Sequence, residues 1–155
     1  MPLAIALYDV VLTIHILAVV VAFGVVFAYP LLDAEIRKAG PAALPGLHRL
    51  HLALAQRLIT PAMVVVLLAG LYLALDRYDL GDPWISATLT ILVVLFGLVG
   101  AVLTPTDRRL AELAERDGGT GEDYAREARK AAIVGSLALA LVVVAIFLMT
   151  AKPGA

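Results

Sequence analysis

The chain has 155 residues, 62 % of them hydrophobic, and a mean hydropathy of +0.96, whereas an ordinary soluble domain is roughly 45–50 % apolar. So much apolar surface at this length excludes an ordinary soluble fold and makes lipid the expected solvent, for one domain spanning residues 1–155. The net charge of −1 indicates no strongly charged partner, and the lack of cysteine excludes disulfides, thiol catalysis and cysteine-bound metal.

The segment Met1–Tyr8 carries no basic residue, and the apolar run after it is too long for a cleavable signal peptide. It is expected to stay as an anchor. The first apolar run covers about residues 8–29, with Pro30 as its expected stop. The others cover about 52–75, 84–103 and 131–150. Each is near the ~20 residues a helix needs to cross ~30 Å of hydrocarbon. Backbone in lipid must satisfy its own hydrogen bonds, so each run is expected to be helical. The short alternating segments of a β-barrel are missing.

The charges fall between the runs. The first loop holds Arg37, Lys38, Arg49 and Arg57, and the third holds Arg108, Arg109, Arg116, Arg126, Arg129 and Lys130. Only Arg77 and Lys152 lie on the other side. This bias places the first and third loops in the cytoplasm and both termini outside. The first loop is punctuated by Gly40-Pro41 and Pro45-Gly46. In the third, Thr104 reads as a cap for a short helix with Pro105 at its first position, ended by Gly118-Gly119. Thr120 with Asp123 offers a second cap, so the last helix is expected to start well before the membrane. The expected fold is all-α: a four-transmembrane-helix bundle, N-out and C-out, with a short cytoplasmic helix between helices 3 and 4.

Within the spans the pairs Gly24/Ala28 and Gly97/Ala101 have the small-xxx-small spacing that allows close helix approach. Such residues are also common in any membrane helix. Thr60-Pro61 is expected to kink the second helix.

His15 is the candidate for chemistry, because a metal-capable side chain at membrane depth is costly. It suits haem iron, another metal or proton relay; the structural alternative is a neutral histidine bonded to a neighbouring helix. His48 and His51 share a helix face at the cytoplasmic mouth of helix 2, a spacing that suits a surface metal site, but Arg49 sits between them and no carboxylate is near in sequence. They read as ordinary interfacial residues, too far in depth from His15 to share its metal. Ser86, Thr88 and Thr90 lie near the depth of His15 and are candidates for a polar pocket. Trp84 and Tyr78, with Tyr8 and Tyr72, fit an outer aromatic belt. Phosphate loops, nucleophile elbows and zinc-protease signatures are missing. The basic loops are interleaved with acids, which suits topology and anionic lipid and gives no nucleic-acid partner.

The residues His15, Ile16, Phe23, Gly24, Phe27 and Pro30 resemble the first helix of HemJ-type membrane proteins. Thr60-Pro61-Ala62-Met63 with Gly70-Leu71 resembles their second helix, Trp84 with Leu89 the start of the third, and Lys152-Pro153 the C-terminal end. That family is associated with protoporphyrinogen IX oxidation in bacterial haem synthesis. The resemblance implies a multi-pass protein of the bacterial cytoplasmic (inner) membrane, with haem b held by His15. The family's second ligand is a helix-three lysine four residues after the tryptophan; this chain has Thr88 there. Threonine is not a haem ligand, which leaves five-coordinate haem on His15 or a relative without haem. Related families of uncharacterised bacterial membrane proteins, and copper-resistance D-type proteins, share much of the pattern. The sequence therefore supports two functions: a haem- or porphyrin-binding membrane protein, or a non-enzymatic membrane subunit or transport component without cofactor. Its expected partners are the lipid bilayer and either a second copy or another membrane protein. A copper role is disfavoured, because Met1, Met63 and Met149 are scattered.

Overall fold

The computed structural model describes residues 2–153, with side chains from residue 7 onward. Met1, and with it part of the expected anchor, lies outside the described residues. Four long helices account for nearly all of the described chain, which contains no strand: α1 (Pro2–Lys38), α2 (Pro41–Arg77), α3 (Pro83–Asp117) and α4 (Glu122–Ala151). All four are long and apolar enough to cross a membrane. They run up and down in turn, so one end of the bundle holds both ends of the chain and the α2–α3 turn. Contacts there confirm the arrangement: Arg77 lies 3.6 Å over the Tyr8 ring, and the Lys152 ammonium donates to the Tyr78 hydroxyl at 2.6 Å. We call this the terminal end and the opposite one the loop end.

At 1.5 Å per residue, helices of 30 to 37 residues are roughly 45–55 Å long, well beyond the ~30 Å of hydrocarbon. The surplus forms a helical stalk at the loop end. The stalk has its own core of Leu44, Leu47, Leu110, Leu113, Ala114 and Tyr124. A second core at mid-span joins Ala18, Ala22, Met63, Leu92, Leu95 and Val142. Around it the large side chains face outward: Val20, Leu68, Val93 and Phe147 are each more than 60 % exposed. Water would penalise such a surface, whereas lipid tails accept it.

Two prolines, Pro30 and Pro105, sit inside longer helices than the sequence suggests, and Pro61 lies within a continuous helix as its span requires. Pro30 does not stop α1, which continues to Lys38 and lays Ile36 on the stalk core. Packing beyond the proline outweighs the one lost backbone bond. Pro61 and Pro105 each follow a Thr and a π-helical stretch, Ala55–Ile59 and Leu98–Leu103. The wider π turn absorbs the missing N–H and the ring's bulk, so neither helix breaks. The helix Thr104–Asp117 is present as expected, but it does not begin at a cap. Thr104 is already helical, and its Oγ1 donates to the Val99 carbonyl at 2.8 Å. The helix is an extension of the third span.

Gly118 and Gly119 do end this extension, with φ of +70° and +72°, where L side chains are strained. The last helix starts early, as expected, but its N-cap is Gly121, while the Thr120 hydroxyl donates back to the Asp117 carbonyl. Gly24 and Gly97 have no atom within 4 Å of where a Cβ would stand, so the small-xxx-small pairs make no close contact inside this chain. Close approach falls instead to the buried Ala18, Ala22 and Ala138, and to Gly70.

Candidate functional site

Two places gather the polar side chains. The first is a cavity of about 490 Å³ toward the terminal end, lined by His15, Phe23, Trp84, Thr88 and Lys152 among mostly aliphatic neighbours. His15 is 8 % exposed. Its Nδ1 donates to the Val66 carbonyl of α2 at 3.1 Å. A carbonyl only accepts, so the proton is on Nδ1 and, in the neutral ring, Nε2 keeps a lone pair. A Cβ on Gly70 would stand 3.0 Å from His15 Cε1, so the glycine makes the room the imidazole occupies. Thus Thr60-Pro61 and Gly70-Leu71 lie on the helix that receives His15.

The other residues expected near His15 divide. Thr88 lines the cavity, but its Oγ1 donates to the Trp84 carbonyl at 2.7 Å. Ser86 and Thr90 are not part of it; both turn back on carbonyls of their own helix. Trp84 is packed inside the bundle, at 4 % exposure, and meets the Tyr78 ring edge-on at 5.0 Å. Lys152 reaches over both rings, 4.7 Å from one centroid and 5.5 Å from the other. Lysine is missing at position 88, yet an ammonium reaches the same cavity from the end of α4.

The second place is where the stalk meets the spans. There His48 and His51 are not the ordinary interfacial residues that the sequence suggests. Both are buried, at 3 % and 7 % exposure, beside a carboxylate from another helix. Asp107 Oδ1 lies 3.6 Å from His48 Nδ1 and 3.7 Å from His51 Nδ1. Asp33 Oδ1 of α1 lies 3.1 Å from His51 Nε2, and Tyr124 of α4 shares a 2.9 Å hydrogen bond with His48 Nε2. The Tyr29 ring stacks at 4.4 Å on His51. A second cavity, about 510 Å³, adjoins the group and is lined by Tyr29, Asp33, His48, His51 and Asp107.

His51 and Asp107 lie outside the apolar runs. Burial pushes the His51 imidazole down, but the attraction of Asp107 and Asp33 outweighs it and lifts it to about 9. Burial alone would raise the Asp107 carboxyl, and the two imidazoles reverse this and hold it below the usual value.

Sequence spacing hides this cluster because its carboxylates lie on α1 and α3. Depth would have revealed it. Asp33 stands four residues past the first apolar run, His51 one residue before the second, and Asp107 four residues past the third. In an up-down bundle those positions share one level.

Over residues 9–153 the chain matches a family described as predicted integral membrane protein (DUF2269). No curated protein and no solved structure matches it.

Proposed function

We propose that this chain, which belongs to the DUF2269 family of predicted integral membrane proteins, binds haem or a related porphyrin in the cavity lined by His15. The observation that carries the reading is the His15–Val66 hydrogen bond. Metal-binding histidines usually settle their other ring nitrogen on a carbonyl or carboxylate, which orients the ring and raises its basicity. Here that arrangement occurs on an otherwise apolar wall. The cavity volume falls within the roughly 300–1,000 Å³ of small-molecule sites. Phe23, Trp84 and the aliphatic lining suit a flat apolar ring, and the Lys152 ammonium suits an acidic edge. Bound there, haem would supply redox chemistry. The chain's own parts would supply one nitrogen ligand, from His15, and a cation for a carboxylate, from Lys152. Thr88, with its hydroxyl committed to Trp84, would supply no ligand. Ten of the twelve basic residues around the loop end support, by the positive-inside rule, a cytoplasmic loop end and a His15 cavity nearer the outside; the resemblance to HemJ-type proteins implies that the membrane is a bacterial inner one.

The test is a visible absorption spectrum of the purified protein after expression with added haem, oxidised and reduced, beside His15→Ala. The expected result is a Soret band that the variant lacks. A flat spectrum for both would overturn the reading. The alternative, a non-enzymatic membrane component, is favoured by one observation: the open space at Gly24 and Gly97 leaves two small-residue faces free for another helix. It predicts a stable oligomer in mild detergent and no chromophore.

A further inference from the structure

The His48–His51–Asp107 group is a different kind of site from the His15 cavity. We propose that these three side chains form a binding site for a borderline divalent transition-metal ion such as zinc, independent of any ligand at His15. The donor atoms lie within 4.8 Å of one another. The two histidine-to-carboxylate separations, 3.6 and 3.7 Å, are too long for hydrogen bonds. They suit two ligands on one ion at roughly 2.0–2.2 Å from each donor. Two nitrogens and one carboxylate oxygen make a set that zinc and its neighbours accept, whereas calcium and magnesium prefer all-oxygen sets.

Two further observations point to a ligand. First, His48 Nδ1 has no hydrogen-bond partner although it is buried with its residue. A buried, unpaired ring nitrogen is destabilising, and a cation between it and Asp107 would satisfy it. Second, both imidazoles have oxygen atoms at the far side of the ring. His48 Nε2 donates to the Tyr124 oxygen in the tautomer that frees Nδ1, and His51 Nε2 lies beside Asp33. For His48 this is the outer arrangement that orients metal-bound histidines and strengthens them as ligands; His51 Nε2 and Asp33 Oδ1 are close enough to attract, but they are not in hydrogen-bond geometry. Three protein donors leave a further coordination position, and the adjoining cavity has room for water or a small ligand there.

The experiment is metal titration of the purified, chelator-treated protein in detergent, using zinc for stoichiometry and cobalt for its visible ligand-field bands. Wild type is expected to take one ion per chain, with cobalt bands of a nitrogen–oxygen site. His51→Ala and Asp107→Asn are expected to lose it, and His15→Ala to keep it. Asp33→Asn leaves all three ligands in place and is expected to weaken binding roughly 10–100-fold. It covers the case in which a ligand variant does not fold, which size exclusion and helical circular dichroism would reveal. A wild type that takes no ion, or ligand and Asp33 variants that bind as wild type does, would overturn the site. The cluster would then be an ion-paired His51 held between Asp33 and Asp107. Haem absorption is read on the same samples, so failure at His15 and failure here are distinguishable.

Discussion

At the terminal end a single imidazole, His15, sits in an apolar cavity and settles its N–H on a carbonyl of the neighbouring helix. At the loop end two imidazoles share a pocket with two carboxylates and two tyrosines drawn from all four helices. The environments explain the difference. Inside hydrocarbon a polar side chain is tolerated when backbone can satisfy it, and each added charge is expensive. Past the hydrocarbon the helices go on as a stalk with its own apolar core. Carboxylates can be stationed there cheaply, and the core brings them to the histidines. The first environment favours an apolar ligand held at one point, and the second favours a small cation held at several.

If the two regions are independent, exchanging losses is the strongest check. His15→Ala is expected to abolish haem absorption and leave the metal stoichiometry unchanged; Asp107→Asn is expected to do the reverse. Loss of both signals from either variant, measured on folded protein, would show one coupled site.

Leu110 is 1 % exposed at the centre of the stalk core. Leu110→Ala is expected to cost about 2–5 kcal/mol, measured by thermal or denaturant unfolding in detergent, and to loosen the metal site before the His15 cavity. If the cavity is lost at the same midpoint, the two ends unfold as one unit.

Gly70→Ala adds a methyl 3.0 Å from His15 Cε1. Overpacking of this kind costs about 1–3 kcal/mol. The expected result is a lowered unfolding midpoint and reduced haem absorption, with zinc binding intact. An unchanged spectrum would mean that His15 can shift without loss of its ligand.

Val93→Ala, on the outer face at 66 % exposure, is expected to change stability by no more than about 0.5 kcal/mol. A larger loss, or a change of oligomeric state by cross-linking, would mean that this face contacts protein instead of lipid.

The four spans were legible because apolar length is a one-dimensional property, and residues 8–29, 52–75, 84–103 and 131–150 each meet it. His15 was legible for the same reason, as a polar exception within such a run. The terminating role of Gly118 and Gly119 was also readable, since positive φ favours glycine locally. The stop at Pro30 and the cap at Thr104 are different in the structure: the helices continue past Pro30 and Pro105 where the packing beyond them outweighs the missing N–H, and packing is invisible in a linear pattern.

Composition and run length thus decided that the chain is an all-helical membrane protein with an exceptional histidine, because lipid imposes those requirements on each segment separately. The association of Asp33 and Asp107 with His48 and His51, the reach of Lys152 into the His15 cavity, and the room that Gly70 leaves for the imidazole were decided only by the tertiary structure. Each depends on the rotation and depth of one helix against another. Those are set by the summed packing of the four apolar faces, to which no single segment holds the key.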